Sequence, residues 1–341
     1  METAKVAVVI LNWNGEHYLR QFLPNVLLCS DMDGVTVVVA DNGSTDGSVP
    51  LLRDRFPQVE LIELPQNYGF AEGYNRALAQ VRAEYYVLLN SDVEVSPNWL
   101  GPMLDLMEAN PQVAACAPKL RAYHSRQQFE YAGAAGGFID RWGYPFCQGR
   151  ILSAIETDEG QYDAPRDVFW ASGAAMFVRA SAYQQAGGLD ARFFAHMEEI
   201  DLCWRFHNMG LHVRYVPTST VYHVGGGTLP TNSPRKLYLN YRNSLYMLHK
   251  NLNTMELWPV LLLRMGLDLL SAAAYLLGRK RSSASAVLRA HADFWRTLGS
   301  SRRARLGQTR LPRRRLPTIY RHSIVVSFFL LNKKIFSSLH I

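Results

Sequence analysis

The chain has 341 residues, 48% of them apolar and 19% charged, with 24 Gly and 16 Pro, a composition that supplies a core and excludes disordered and collagen-like chains. Its four cysteines, Cys29, Cys116, Cys147 and Cys203, lie far apart with no Cys-x-x-Cys pair, which argues against a zinc ribbon, a thioredoxin-like motif or a disulfide scaffold and fits a reducing cytosol. The net charge of +7 is uneven: from Arg279 onward 15 Lys and Arg face one acid, Asp293, so the end of the chain is basic and the preceding part is acidic, a pattern suited to phosphates of nucleic acid or of an anionic membrane surface.

Only a few residues precede the apolar run Val6 to Trp13, without the charged region, long apolar stretch and cleavage site of a signal peptide, so secretion is not expected. Runs rich in Val, Ile and Leu follow at Val35 to Ala40, Val59 to Leu64 and Tyr85 to Asn90, with helical stretches between them, Ala71 to Arg82 being the clearest. Near-continuous apolar strands alternating with helices predict an α/β fold with a mostly parallel sheet covered on both faces. Ligands then belong at the strand C-termini, which here are short and polar. A helix is expected near Asn98 to Ala109, then a long loop with short strands over Arg121 to Asp167, where Gly, Tyr and charge show no period. Order returns at Val168 to Val178, followed by a helix from about Glu198 to Met209 and a strand through Val213 to His223.

Three glycines, Gly225 to Gly227, with Pro230 and Pro234, mark a boundary, placed at 228/229, between an α/β domain (1–228) and a helical C-terminal region (229–341). In that region Leu257 to Leu277 approaches membrane thickness, but Arg264 and Asp268 sit in its middle; spanning would cost on the order of 2.5 to 3.5 kcal/mol for each charge, so an in-plane or core amphipathic helix is expected. Seven arginines within Arg302 to Arg315 and the short apolar run Ile324 to Leu331 predict a surface-lying membrane anchor. On that reading, removing the residues after about Ser300 leaves catalysis intact and abolishes binding to anionic vesicles.

Seven ordered motifs, VVILNWNG, VVVADNGSTDGS, NYGFAEGYN, YYVLLNSDV, WASGAAMFVR, FFAHMEEIDLCWR and VYHVGGG, span roughly Val6 to Gly227. Together they resemble the family 2 glycosyltransferases of GT-A fold, in the branch often labelled rhamnosyltransferase-like. The resemblance implies an inverting transfer of a sugar, rhamnose from a thymidine nucleotide being the usual label of the branch, to a hydroxyl of a lipid-linked or cell-surface glycan. It also implies a divalent cation, Mn²⁺ or Mg²⁺, and the address expected is cytoplasmic, peripheral on the inner face of the membrane.

Residue by residue, the resemblance gives Asp41 the imide N–H of a uracil or thymine ring, the alternative being a helix cap, a role that suits Asp46 better. Asn12, Asn67, Gly69, Asn75, Asn90 and Ser91 join the donor site; Gly69 and Gly73 permit close backbone approach, and the helix amides that follow favour a diphosphate. Asn90-Ser91-Asp92 stands where the family has Asp-x-Asp, leaving Asp92 as the one carboxylate ligand of the metal, with His223 completing the site; the alternatives are an N-cap for Asp92 and a structural histidine for His223. In Glu198-Glu199-Ile200-Asp201 the second position matches the family's catalytic base, here Glu199, with Glu198 as second choice; acids in a first turn also suit the helix dipole. Crowded like charges raise one carboxyl toward neutrality, as a base requires. Trp170, Ser172 and Asp201 are expected on the acceptor side, core packing being open for Trp170.

Two rivals remain at this level. A nucleotidyltransferase shares the sheet and paired acids but needs a cationic Gly-rich loop after the first strand, and NWNGEHYL has no cation before Arg20. A nucleic-acid-binding module would use the arginine run but leave the acids unexplained, so no nucleic-acid partner is expected.

Overall fold

The computed structural model describes residues 3–225, 233–339 and 341. The boundary at 228/229, with Gly226, Gly227 and Pro230, lies outside the described residues. The first half alternates as read: β1 (Ala4–Asn12), α1 (Glu16–Cys29), β2 (Val35–Asn42), α2 (Ser48–Arg55), β3 (Glu60–Leu64), α3 (Gly69–Leu78), β4 (Ala83–Asn90), β5 (Val93–Val95) and α4 (Gly101–Ala109). Strand β1 pairs parallel with both β2 and β4 and shows why its sequence is continuously apolar. Val6, Val8 and Ile10 enter one core with Leu19 and Leu23 of α1 and Trp99 and Met103 beneath, whereas Ala7 and Val9 enter the opposite core with Tyr74 and Ala77 of α3. A strand buried on both faces has no polar alternation to show.

Next come β6 (Val113–Ala122), β7 (Ser125–Phe129), β8 (Gly137–Asp140), β9 (Pro145–Cys147), β10 (Arg150–Ile151), β11 (Ala154–Ile155), β12 (Arg166–Val168), β13 (Ala175–Arg179), α5 (Ala180–Gln185), α6 (Glu198–Asn208) and β14 (His212–His223). The main sheet runs β12-β14-β6-β13-β4-β1-β2-β3, with β5 and β7 paired off this path. Its β4-β1-β2-β3 half is parallel, and β13 enters antiparallel between β4 and β6. The stretch Arg121 to Asp167 contains five short strands, β7 to β11, with β12 straddling its end. Two- to five-residue strands offer no period long enough to read from sequence.

The C-terminal region adds α7 (Pro234–Asn251), α8 (Thr254–Leu277), α9 (Arg281–Arg296), α10 (Leu298–Arg305), β15 (Ile319–Tyr320) and α11 (Ile324–Phe329). It is built into the molecule. Strand β15 pairs parallel with β8 and completes a second sheet of order β11-β10-β9-β8-β15. Buried Asp140 accepts from the Ile324 amide (2.9 Å) as well as from Trp142 and Tyr144, and Phe336 packs on Phe138 and Phe146. Three of the seven arginines face inward: Arg305 donates to the His249 and Leu252 carbonyls, Arg310 to that of Lys250 and Arg313 to that of Arg141. The tail is thus tied to the fold through β15, Phe336 and these three arginines, while Arg302, Arg303, Arg314, Arg315, Phe329 and Leu330 stay exposed.

Candidate active site

The C-terminal ends of β1, β2 and β4 form a polar rim. Asn12 and Asp41 are register partners, both buried, and Asn12 Nδ2 donates to Asp41 Oδ1 (3.1 Å). The second Asp41 oxygen accepts from the Ser44 amide (2.9 Å), which leaves the carboxylate acceptor-only and fixed in direction. Asn12 Oδ1 is buried without a partner and lies against Gly15, where a Cβ would stand 2.3 Å from it and 3.4 Å from Ser91 Oγ. Any side chain at Gly15 would fill the space between the two motifs. Asp46 stands one residue before the N-cap Gly47, and its Oδ1 accepts from the Ser48 amide in an Asx turn that leads into α2 and not in the cap position expected of it.

Asp92 follows β4, and His223 ends β14, where the antiparallel pairing with β5 sets it opposite Val93. His223 Nε2 is 3.2 Å from Asp92 Oδ1 and 3.4 Å from Asn90 Nδ2. On its other side His223 Nδ1 is 3.3 Å from Oε1 of buried Glu130, a residue that sequence reading passed over because it sits in the aperiodic stretch after β7. Burial alone would lower the His223 pKa, but the Glu130 charge and the bond to Asp92 push it up to about 10. Burial likewise works to raise Asp92, yet its bond to His223 and the charge of that ring hold it below the usual carboxylate value. The pair therefore carries a proton that a divalent cation would replace.

An oxygen and an imidazole nitrogen 3.2 Å apart fit two adjacent positions around one ion, since bonds of about 2.1 Å at right angles put cis donors roughly 3 Å apart. Glu130 stands at the far nitrogen as a charge neighbour without a formed hydrogen bond, and would fix ring orientation by accepting from Nδ1. Among the described residues no three His, Cys, Asp or Glu side chains converge on one point, so further donors would come from a ligand.

The segment Asn67 to Asn75 differs from expectation. The amides at the start of α3 are already taken: Tyr68 N donates to Asn42 Oδ1 (3.0 Å), Gly69 N to Asn67 Oδ1 (2.8 Å), and Phe70 and Ala71 both to the Phe194 carbonyl (2.7 and 3.2 Å). A diphosphate would reach these donors only by displacing the Phe194 carbonyl from Phe70 and Ala71, or the Asn42 and Asn67 side chains from Tyr68 and Gly69. Gly69 has φ +77°, and a Cβ there would stand 2.5 Å from the Phe194 ring, while one at Gly73 would meet Leu11 at 2.9 Å. Their close approach is to protein. Asn75 is also spent, donating to Leu189 O (2.7 Å) and accepting from Tyr183 and the Leu189 amide.

What α3 holds is the loop before α6. Phe194, His196 and Met197 all have positive φ (65°, 71° and 73°), a conformation that non-glycine residues adopt only when surroundings impose it. Asn243 of α7, fully buried, donates Nδ2 to the carbonyls of Phe193, Ala195 and His196 (2.7 to 2.9 Å), and Arg242 donates to those of Arg192 and Phe193. The loop delivers Glu198 and Glu199 to the first turn of α6. One oxygen of each is buried with no partner. Burial, reinforced for Glu198 by the Glu199 charge, raises Glu198 well above the ordinary carboxylate range. Burial pushes Glu199 up to about 7 against opposing backbone hydrogen bonds. Of this crowded pair one carboxyl takes or releases a proton near neutrality while the other stays protonated. A Cβ at Gly173 would lie 3.9 Å from Glu199 Cβ, and Ala174 O accepts from Asn90 N (3.0 Å), so this segment lies between the base of the Glu199 side chain and the Asn90-Ser91-Asp92 rim.

Three residues expected on the acceptor side are placed otherwise. Trp170 is 3% exposed, lies flat on Gly137 and donates to Phe138 O (3.0 Å), so it packs the core and offers no face to a sugar. Ser172 is buried and accepts from the Ala174 amide. Asp201 is fully buried, accepting from Arg205 (3.0 Å), Lys250 (2.9 Å) and Asn251 (2.7 Å), and is spent in an ion network joining α6 to α7.

The family model for glycosyl transferase family 2 matches residues 7–185, more than half of the chain. The N-acetylglucosaminyl-diphospho-decaprenol L-rhamnosyltransferase of Mycobacterium tuberculosis is 30% identical over 237 residues, covering 65% of this chain and 76% of that one. The rhamnosyltransferase WbbL of Escherichia coli is 24% identical, over 64% of this chain and 83% of its own. Among solved structures, GalNAc-T7 with UDP, GalNAc and Mn²⁺ superposes with a TM-score of 0.59 at 14% identity, covering 75% of this chain and 49% of that one. The mannosyltransferase PcManGT of Pyrobaculum calidifontis, with GDP-Man and Mn²⁺, gives 0.53 at 16% identity over 89% and 81%. The carboxylates at the mouth of a GT-A sheet, the ordered motifs and the family match lead to one conclusion: the chain is a glycosyltransferase and belongs to glycosyl transferase family 2.

Proposed function

We propose that the protein transfers a sugar, with rhamnose first among candidates, from a nucleoside diphosphate to a hydroxyl of a lipid-linked glycan, with inversion at the anomeric carbon and a divalent cation on the departing diphosphate. The reading is carried by Glu199, a half-buried residue with one buried, unpartnered carboxyl oxygen and a pKa pushed up to about 7, on the helix packed against the segment that leads to the Asp92 and His223 rim. Asp41 and Asn12 hold the base of the donor, with the Asn12 Oδ1 acceptor open. Asp92 and His223 would hold Mn²⁺ or Mg²⁺, which when bound supplies charge neutralisation to the leaving diphosphate. Glu199 removes the proton of the acceptor hydroxyl as that oxygen displaces the diphosphate in line, so catalysis rests on positioning and on one proton transfer. Glu198, kept neutral, limits like-charge repulsion beside the ionised base.

The name of the mycobacterial relative, a transferase onto N-acetylglucosaminyl-diphospho-decaprenol, supports a lipid-diphosphate acceptor. The test is release of nucleoside diphosphate from a panel of nucleotide-sugars with Mn²⁺, Mg²⁺ or a chelator. We expect turnover with the thymidine diphosphate of rhamnose and its loss with chelator. Equal rates in chelator would remove the cation, and silence across the panel with a polyprenyl-diphosphate acceptor present would remove the donor assignment.

A further inference from the structure

Helix α8 is amphipathic the wrong way round for a helix in water. Its inner face carries the charges: Arg264 and Asp268 are buried and paired (2.9 Å), Arg264 donates to Gly143 O and stacks 3.7 Å over the Tyr144 ring, and His291 of α9 lies 3.4 Å from the second Asp268 oxygen. Its outer face has none. Every exposed position from Met255 to Leu277 is apolar, glycine or proline, including Met255 (91% exposed), Leu262 (56%), Leu270 (67%) and Leu277 (88%). At about 1.5 Å per residue this stripe is roughly 30 Å long, well beyond the scattered apolar residues of an ordinary surface. Trp258 of α8 and Trp295 of α9 are both half-exposed and stack on each other (6.3 Å), extending the patch onto α9.

The surroundings of the patch identify what covers it. On α9, Arg281, Arg289 and Arg296 are exposed beside Leu288 and Trp295, and Arg279 and Lys280 follow the end of α8. An apolar stripe edged by tryptophans and cations matches the boundary between acyl chains and anionic headgroups. Face-to-face packing on a second copy would crowd these cations on like charges. Spanning is disfavoured because it would strip Arg264 and Asp268 from Tyr144, Gly143 and His291.

We infer that the outer face of α8 and α9 docks in the plane of an anionic bilayer, with the leucines of α8 in the acyl boundary and the α9 arginines on the headgroups. The inference deepens the membrane-surface reading above and rests on it. It adds the α8 and α9 face to the contact expected of the C-terminal run, where Ile324 and Phe328 are buried while Val326, Phe329 and Leu330 stay exposed.

The experiment is flotation of the full-length protein with vesicles of phosphatidylcholine, with and without phosphatidylglycerol, and it needs no sugar transfer, so its failure is distinct from failure of the catalytic reading. The parent should float with the anionic vesicles. Leu262→Gln/Leu270→Gln should lose partitioning on the order of tenfold or more with an unchanged far-ultraviolet spectrum and melting temperature. Arg281→Gln/Arg289→Gln/Arg296→Gln should weaken binding to anionic vesicles by about tenfold or more and leave neutral vesicles little affected. Should the glutamine pair disturb the fold, Leu262→Ala/Leu270→Ala, which keeps helix propensity, replaces it. Parent-level flotation by the leucine variants would overturn the inference. So would a lipid-free parent that scatters light as a dimer and becomes monomeric in those variants, which would assign the face to a second copy.

Discussion

At the scale of single residues, chemistry and stability pull Glu199 in opposite directions. Its carboxyl is raised from 4.5 to about 7 by burial, so the folded protein holds a proton that the unfolded chain releases between those values. Stability therefore falls as pH rises through that window, while the active, ionised base appears only at its upper end. Two outcomes follow: the acid limb of turnover should sit near pH 7, and Glu199→Gln should melt several degrees above the parent at pH 8 but close to it at pH 5, read by calorimetry. Glu130 acts one step further out, through His223. Glu130→Gln should weaken Mn²⁺ binding by about 10- to 100-fold, measured by titration with the nucleoside diphosphate present. Unchanged Mn²⁺ affinity would make Glu130 a bystander.

At the scale of elements, strands with cores on both sides were legible because their apolar runs are continuous, and α6 was legible from its acids and the following Gly210. The limit was reached where one element serves another distant in sequence. NYGFAEGYN has the composition of a phosphate-binding turn, but its amides bond Phe194, more than a hundred residues away, and no local pattern records that partner. Trp170 and Asp201, each open to a structural as well as an acceptor-side role, take the structural one for the same reason: Phe138 and Lys250 claim them from outside the motif. Helix α7 is the largest such omission. Asn243 shares its two N–H donors among three carbonyls of the loop that carries Glu198 and Glu199, so Asn243→Leu, at about 1 kcal/mol per donor with the buried carbonyls left unpaired, should cost roughly 2 to 4 kcal/mol in denaturant unfolding and lower kcat more than it raises KM. Lys250→Met should be as severe, because it leaves Asp190 and Asp201 short of a buried cation.

At the scale of the whole molecule, the catalytic sheet and the C-terminal helices are one construction. The two-part division read from charge and composition describes the sequence, but β15 completes a sheet begun at β8, and α7 clamps the catalytic loop. Truncation after about Ser300, expected from sequence to spare activity, would remove β15, Phe336, and the Arg305 and Arg310 contacts to the end of α7. It should instead give insoluble or inactive protein, checked by soluble yield and turnover together. The reading as a whole depends on Glu199 deprotonating an acceptor beside a donor gripped by Asp41, Asp92 and His223. The most direct measurement is turnover by Glu199→Gln alongside its affinity for the donor nucleotide: a fall of about 10²- to 10⁴-fold in rate with nucleotide affinity kept is predicted, and undiminished turnover by the folded variant would contradict the account.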